Sequence, residues 1–416
     1  MSMDQPAPAA APNRFQTIDT LRGFALLGIL VPNIVSFAWP SAAYTNPAII
    51  SDASPNHIAY QITSTLFLGK FMFLFALLFG SGVIMYARKF DDPAELNNTK
   101  LRTGAKLWYT RCAWLLVFGL IHSYLFWYGD ILTLYALAGL TLLWWIRRIN
   151  PKALLIAGLI LYLLATLVMV LFAFFEHTAL QAGHITINEL ELDPAFEIAG
   201  YTGSFIDAFK ARLPASIFMT FIAAPFFVPA LWGIMAIGMG LTRMGILTGE
   251  RPIRFYLITA IIGIGLGLPT TIIAFQSTQS TIDIRPGNAW DTIAQAIGIP
   301  LAIGYGALVI ALAKWTPARI ITIPLAAVGR MALTNYFLHT LLCTTLFYGY
   351  GLGYFAKIEY PQLWLVVLGV WAINIIFSML WLRFFTMGPF EWLWRVLTYR
   401  HLVPIRAQIH KSQSTN

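Results

Sequence analysis

A chain of 416 residues that is 58% hydrophobic and 11% charged cannot cover a soluble surface, for which about a quarter of the residues are normally charged. Its apolar residues come in long runs, not short alternating segments, which excludes a transmembrane barrel and leaves an all-α polytopic membrane protein. The net charge of +9 would raise nucleic acid as a partner for a soluble protein; here the placement of the basic residues matters more than their sum, and no nucleic-acid partner is expected.

Residues 1–13, MSMDQPAPAAAPN, are rich in proline and alanine and are expected to be disordered. About ten transmembrane helices follow, near 22–40, 61–86, 107–126, 129–146, 153–175, 215–241, 253–275, 290–313, 326–349 and 362–385. They form one transmembrane domain over 14–400, with an acidic outer loop at 176–213 and a cytoplasmic tail at 401–416. With the N-terminus inside, the outer segments hold only Lys210, Arg212, Arg285 and Lys357, and Lys70 falls within a span. The remaining Lys and Arg stay on the cytoplasmic side, so both termini are expected to be cytoplasmic. The segment SFIDAFKARL at the end of the outer loop reads as an amphipathic helix on the outer surface.

Ionisable residues within spans are costly and therefore candidates for function. In GLIHSYLFWYGDIL, His122 lies in the outer half of the third span and Asp130 opens the fourth across a tight hairpin. A carboxylate beside an imidazole fixes its tautomer and raises its basicity, as a general base requires; the plainer reading is that Asp130 caps a helix. Lys70 in GKFMFLFALLFGSG either snorkels to the headgroups or pairs with a buried acid, Asp130 among them. Asp19 and Arg22 are three apart on one helix face, where Arg22 serves either as a phosphate partner or as an interfacial anchor. Asn33, beside Pro32, suits a bond between helices. In VGRMALTNYFLHT, Arg330 is a second candidate phosphate partner, Asn335 and Tyr336 follow it, and His339 reads as structural. Glu391, within an aromatic and basic belt, has no evident role. Cys112 and Cys343 read as packing residues. No phosphate loop, nucleophile elbow or metal-ligand cluster is present, and no metal is expected.

The segments IDTLRGFALLGILVPNI, GKFMFLFALLFGSG, GLIHSYLFWYGDIL, VGRMALTNYFLHTLLCTTLFY and LRFFTMGPFEWLWR, in this order, resemble the YeiB family of bacterial inner-membrane proteins. That family is grouped with the transmembrane acyltransferases, which include the acyltransferase-3 enzymes and heparan-α-glucosaminide N-acetyltransferase. The resemblance implies an enzyme of the bacterial inner membrane that takes an acyl group, commonly acetyl, from cytoplasmic acyl-coenzyme A. It would deliver the group to an acceptor, often a sugar, on the far side through an intramembrane histidine. His122 stands at the matching histidine, with Asp130 as its acidic partner, and Asp19, Arg22, Asn33, Lys70, Arg330 and Asn335 stand at matching motif positions. The chain departs from the family at His339, where the family carries glutamine.

The expected function is thus a transmembrane O- or N-acyltransferase with acyl-coenzyme A as co-substrate, Arg22 and Arg330 toward its phosphates, and His122 with Asp130 as base or acyl carrier. Asp19, Asn33, Lys70 and Asn335 would be substrate-binding or structural. A proton-coupled transporter or flippase would use the same buried charges as a relay. A non-catalytic lipid- or quinone-binding protein is a third reading.

Overall fold

The computed structural model describes residues 14–51, 53–91, 98–184, 192–280, 293 and 295–406. The segment 1–13, part of the expected outer loop and most of the expected tail 401–416 lie outside them. The helices, in chain order, are α1 (Arg14–Ala38), α2 (Ser54–Leu66), α3 (Lys70–Ala87), α4 (Asn98–Leu125), α5 (Leu132–Leu140), α6 (Leu143–Ile146) and α7 (Pro151–Gln181). Next come α8 (Pro194–Thr202), α9 (Phe205–Ile217), α10 (Ala224–Arg243), α11 (Ile253–Ser280) and α12 (Ile299–Lys314). The last four are α13 (Arg319–Arg330), α14 (Ala332–Phe347), α15 (Tyr360–Phe384) and α16 (Pro389–Tyr399).

Among the described residues, 7 stretches are long and apolar enough to cross a membrane, or 8 if α13 and α14 form one broken span. This is a multi-pass all-α membrane protein. Two of the ten expected spans have a different form. The stretch 107–126 is the second half of α4, whose first half carries Lys100, Arg102, Lys106 and Arg111. The stretch 129–146 breaks at Thr141 into α5 and α6; the nine residues of α5 rise only about 14 Å, half of a hydrocarbon core.

α1 is the axis of the molecule. It is buried along nearly its whole length and touches α3, α12, α13, α14 and α15. α7, by contrast, turns Ile156, Leu159, Ile160, Leu163, Leu164 and Leu167 outward, the side that meets lipid.

Among the described residues, a turn separates α2 from α3 and a sharp bend separates α13 from α14, and side chains close both. Between α2 and α3 the chain turns at Gly69, where φ is +79°. Lys70 opens α3 and its Nζ donates to Ser64 O at 2.9 Å, so the ammonium closes the C-terminal turn of α2, where the helix dipole is negative. Among the described residues Lys70 forms no ion pair with Asp130 or any other acid. It does not snorkel either, being buried. Between α13 and α14 the axis bends by 86°. Asn335 Nδ2 donates to Val328 O at 3.1 Å and to Ser378 Oγ at 2.8 Å. Glu391, from α16, accepts from Leu333 N at 2.6 Å, Thr334 N at 3.1 Å and Thr334 Oγ1 at 2.6 Å. Asn335 thus adds a second donor to the Val328 carbonyl at the end of α13, which also accepts from Met331 N, and Glu391 covers two loose amides of α14. Burial raises the Glu391 carboxyl above its ordinary range, against the hydrogen bonds from Thr334 and Leu333 that favour the charged form.

α1 and α13 cross backbone to backbone. A Cβ on Gly329 would stand 1.9 Å from Asp19 O, and one on Gly23 would stand 1.9 Å from Leu325 O. Small residues are what let membrane helices approach so closely. Alanine in place of a helical glycine normally stabilises by up to about 1 kcal/mol, but here the clash reverses the sign. Gly329→Ala is expected to cost about 1–3 kcal/mol, read as a lower thermal unfolding midpoint in detergent; a raised midpoint would contradict the crossing. Glu391→Ala strips the cap from α14 and is expected to cost about 1–2 kcal/mol in the same measurement.

Candidate functional site

His122 sits in the last turn of α4, and its backbone carbonyl accepts from Phe126 N at 3.0 Å and Trp127 N at 2.9 Å. The chain therefore curls tightly after it, and the hairpin returns Asp130 to its side. Asp130 has two separate tasks. Its Oδ2 accepts from Thr133 N at 2.7 Å and caps the start of α5, the plainer reading of this residue. Its Oδ1 lies 3.0 Å from His122 Nδ1 and accepts from Tyr336 Oη at 3.2 Å. The carboxylate stands to one side of the ring N–H axis, so its contact with the imidazole is electrostatic more than a straight hydrogen bond. Tyr336 Oη in turn accepts from Ile131 N at 3.2 Å.

On its far side, His122 Nε2 is 2.7 Å from Thr340 Oγ1. Carboxylate, imidazole and hydroxyl thus form a line from Asp130 through His122 to Thr340. The line is walled by Tyr336 (ring centroids 4.8 Å from His122), Phe337 (5.2 Å) and Trp127 (6.2 Å). Trp127 is itself stacked on Phe37 of α1 at 4.2 Å. His122, Asp130 and Thr340 are exposed by 0%, 4% and 2%, so bulk water is kept from all three. The site also depends on Gly119, one turn before His122. A Cβ there would meet Thr133 N at 2.5 Å and Asp130 Oδ2 at 2.9 Å.

Arg212, expected on an outer-surface helix, is instead fully buried. Its Nε donates to Tyr124 O at 3.1 Å and its Nη1 to Phe126 O, and Ser216 Oγ donates to Ser123 O at 2.9 Å. α9 is amphipathic as expected, with Phe205 and Ile206 exposed, but its other face closes the C-terminal end of the helix that carries His122.

At the opposite, arginine-bearing end, α1, α13 and α15 enclose an open cavity of about 460 Å³ lined by Gln16, Asp19, Ala326, Arg330, Leu382 and Arg383, among others. Arg22 Nη1 donates to Asp19 Oδ1 at 2.8 Å and to Gly329 O at 3.3 Å. Arg22 therefore neutralises Asp19 beside the cavity and does not line it, whereas Arg330 lines it and donates to Thr386 O at 3.0 Å. Asp19 is also the acid that faces Arg330.

The remaining residues singled out in the sequence do not join these two sites. Asn33 Oδ1 accepts from Tyr44 Oη at 3.4 Å, and Lys70 and Asn335 close helix breaks as described above. His339, next to Thr340 but rotated about 100° around the helix, is buried with Nε2 unpartnered. Cys112 and Cys343 are buried and unbridged. Among the described residues no three His, Cys, Asp or Glu side chains gather to hold a metal.

This chain is 34% identical over 397 residues to the uncharacterized protein YeiB of Escherichia coli (strain K12), covering 93% of this chain and 97% of that protein. It is 31% identical over 420 residues to the uncharacterized protein YxaH of Bacillus subtilis (strain 168), covering 96% and 97%. It belongs to the YeiB family. The model of the family described as DUF418, a protein of unknown function, matches residues 241–401, which include α14 and α16 but not His122. No solved structure matches the chain.

Sequence reasoning missed Thr340, Gly119 and Arg383 as site residues, and it named Tyr336 and Arg212 without the roles they have here. Tyr336 and Thr340 are four apart and so share a helix face, a spacing visible in NYFLHT; which neighbour that face meets was not. Gly119→Ala is expected to push Asp130 from His122 and α5 from α4. The measurable result is a lower unfolding midpoint together with loss of whatever activity His122→Ala abolishes.

Proposed function

We propose that this protein is a transmembrane acyltransferase of the bacterial inner membrane. It moves an acyl group, commonly acetyl, from cytoplasmic acyl-coenzyme A to a hydroxyl or amine at the opposite face. The observation that carries this reading is the buried line Asp130–His122–Thr340. An imidazole with a carboxylate on one nitrogen and a hydroxyl on the other is built to move a proton to and from a nucleophile, and burial protects an activated acyl group from hydrolysis.

The arginine-lined cavity supplies the second half of the reading. Coenzyme A carries several phosphate charges, and the guanidinium groups of Arg330 and Arg383 suit them. Asp19 would oppose an anion, but Arg22 pairs with it. Arg22 is thus a neutralising residue at this mouth, and Arg383 takes the place expected of it. The concentration of basic residues at this end supports a cytoplasmic side for it. The slender pantetheine arm would run along α1 and α14 toward His122, and the acceptor would approach from the end closed by α9.

One feature favours a carrier instead. Among the described residues, α13 and α14 form one bent span and the chain turns at Gly69 between α2 and α3, and broken helices mark the binding sites of many transporters. Here Lys70, Asn335 and Glu391 complete the backbone that the breaks expose, so these polar groups are spent on the helix ends, which ranks this reading second.

Calorimetry on the detergent-purified protein decides between them. Acetyl-coenzyme A should bind in the micromolar range and bind more weakly to Arg330→Ala and Arg383→Ala. His122→Ala and Asp130→Asn should keep that binding but lose acyl transfer in native membranes, which contain the acceptor. Absence of binding by a folded protein would remove the acyltransferase and direct work to uptake assays in proteoliposomes.

A further inference from the structure

We propose that Thr340 carries the acyl group between the two substrates. This rests on the acyltransferase reading and settles what that reading leaves open, namely direct transfer, an acyl-histidine or another carrier. Three observations support it. The Asp130 carboxylate can only accept, so the proton of the imidazole belongs on Nδ1 beside it and Nε2 is left to accept from Thr340 Oγ1. The Thr340 hydroxyl is also free of the bond that helical threonines usually make. Thr103, Thr110, Thr259 and Thr398 each donate to the carbonyl four residues back, whereas the hydrogen bond of Thr340 runs to His122. Finally, Nε2 is occupied at 2.7 Å, so an acyl group on that nitrogen, or deprotonation of an incoming acceptor, would first require Thr340 to leave. The nucleophile already seated on the base is the threonine.

The steps balance. Thr340 Oγ1 attacks the thioester carbonyl carbon and its proton passes to His122 Nε2, with Asp130 stabilising the imidazolium. The tetrahedral adduct expels the coenzyme A thiolate, which takes that proton and departs as free thiol, leaving an acyl-threonine ester and neutral His122. The acceptor hydroxyl or amine then attacks the ester carbonyl and gives its proton to Nε2. As the C–Oγ bond breaks, that proton returns to Thr340. No oxidant, reductant or further reactant is needed.

The test uses the purified full-length protein and acetyl-coenzyme A labelled on the acetyl group, without acceptor. After denaturation, the acetylated peptide is located by mass spectrometry and released thiol is measured. Wild type should carry acetyl on Thr340 in a stoichiometry equal to the thiol released. Thr340→Val and His122→Ala should carry none, and Thr340→Ser should restore the label on the serine. Calorimetry separates the two levels of the argument. Binding of acetyl-coenzyme A with no acetyl-enzyme, with acetyl on His122, or with transfer by Thr340→Val at the wild-type rate overturns the role of Thr340 and leaves the acyltransferase standing. Absence of both binding and label overturns both. Should Thr340→Val fail to fold, the position of the label in wild type and Thr340→Ser decides.

Discussion

A helix that ends inside an apolar body leaves loose amides at one end and loose carbonyls at the other, and lipid offers nothing to satisfy them. This protein has several such ends, and its buried charges are set on them. Lys70 closes α2, Arg212 closes α4, Asp130 opens α5 and Glu391 opens α14. Glu197 accepts from Ser41 N at 2.9 Å, where a short 3-10 turn begins, and Arg147 donates to Trp144 O at 2.6 Å beside Asp91. An ion held by backbone dipoles avoids much of the cost of burial, because each charge meets the helix terminus of opposite sign.

His122 does not follow that regularity. Its ring closes no helix end. Its nitrogens face a carboxylate and a hydroxyl, both buried, and Asp130 serves it with only the one oxygen not needed for capping. A fully buried imidazole with a carboxylate beside one nitrogen and a hydroxyl on the other is what a proton-transfer role would select; His339, also buried, has no partner on its Nε2. The same reasoning lowers Lys70 and Asn335 as functional candidates. Each is accounted for by the break it fills.

Much of this was legible in the sequence, for reasons that can be named. Length and apolarity of runs set the helices, and the tight hairpin could bring His122 and Asp130 near each other. The breaks were not legible. Gly69 and Gly329 stand beside them, but a glycine within an apolar run also serves close helix packing, so neither announces a bend by itself. Depth in a membrane is also an unreliable guide to role. The depth of Lys70 left snorkelling and pairing with a buried acid both open, yet it bonds to a carbonyl six residues back. Arg212 looked superficial because its helix is amphipathic, but the helix turns that face toward the end of α4. In each case the missing quantity was which face of one helix meets which neighbour, and a single sequence does not encode that locally.

The bend between α13 and α14 links the two ends of the proposed reaction. Before it, α13 lies against α1 at the Gly23–Gly329 crossing and delivers Arg330 to the mouth of the cavity. After it, α14 turns through 86° and presents Tyr336 and Thr340 to the hairpin that holds His122. A straight helix through Met331 would carry the cation and the hydroxyl along one axis, and the close crossing with α1 and the contact with α4 would then compete for it. Breaking the span lets each half meet its own neighbour. The break is stable because Asn335 and Glu391 satisfy the backbone it exposes. Glu391 comes from α16, the last helix among the described residues, so the aromatic and basic belt near the C-terminus also holds α14 in the register that puts Thr340 on the imidazole.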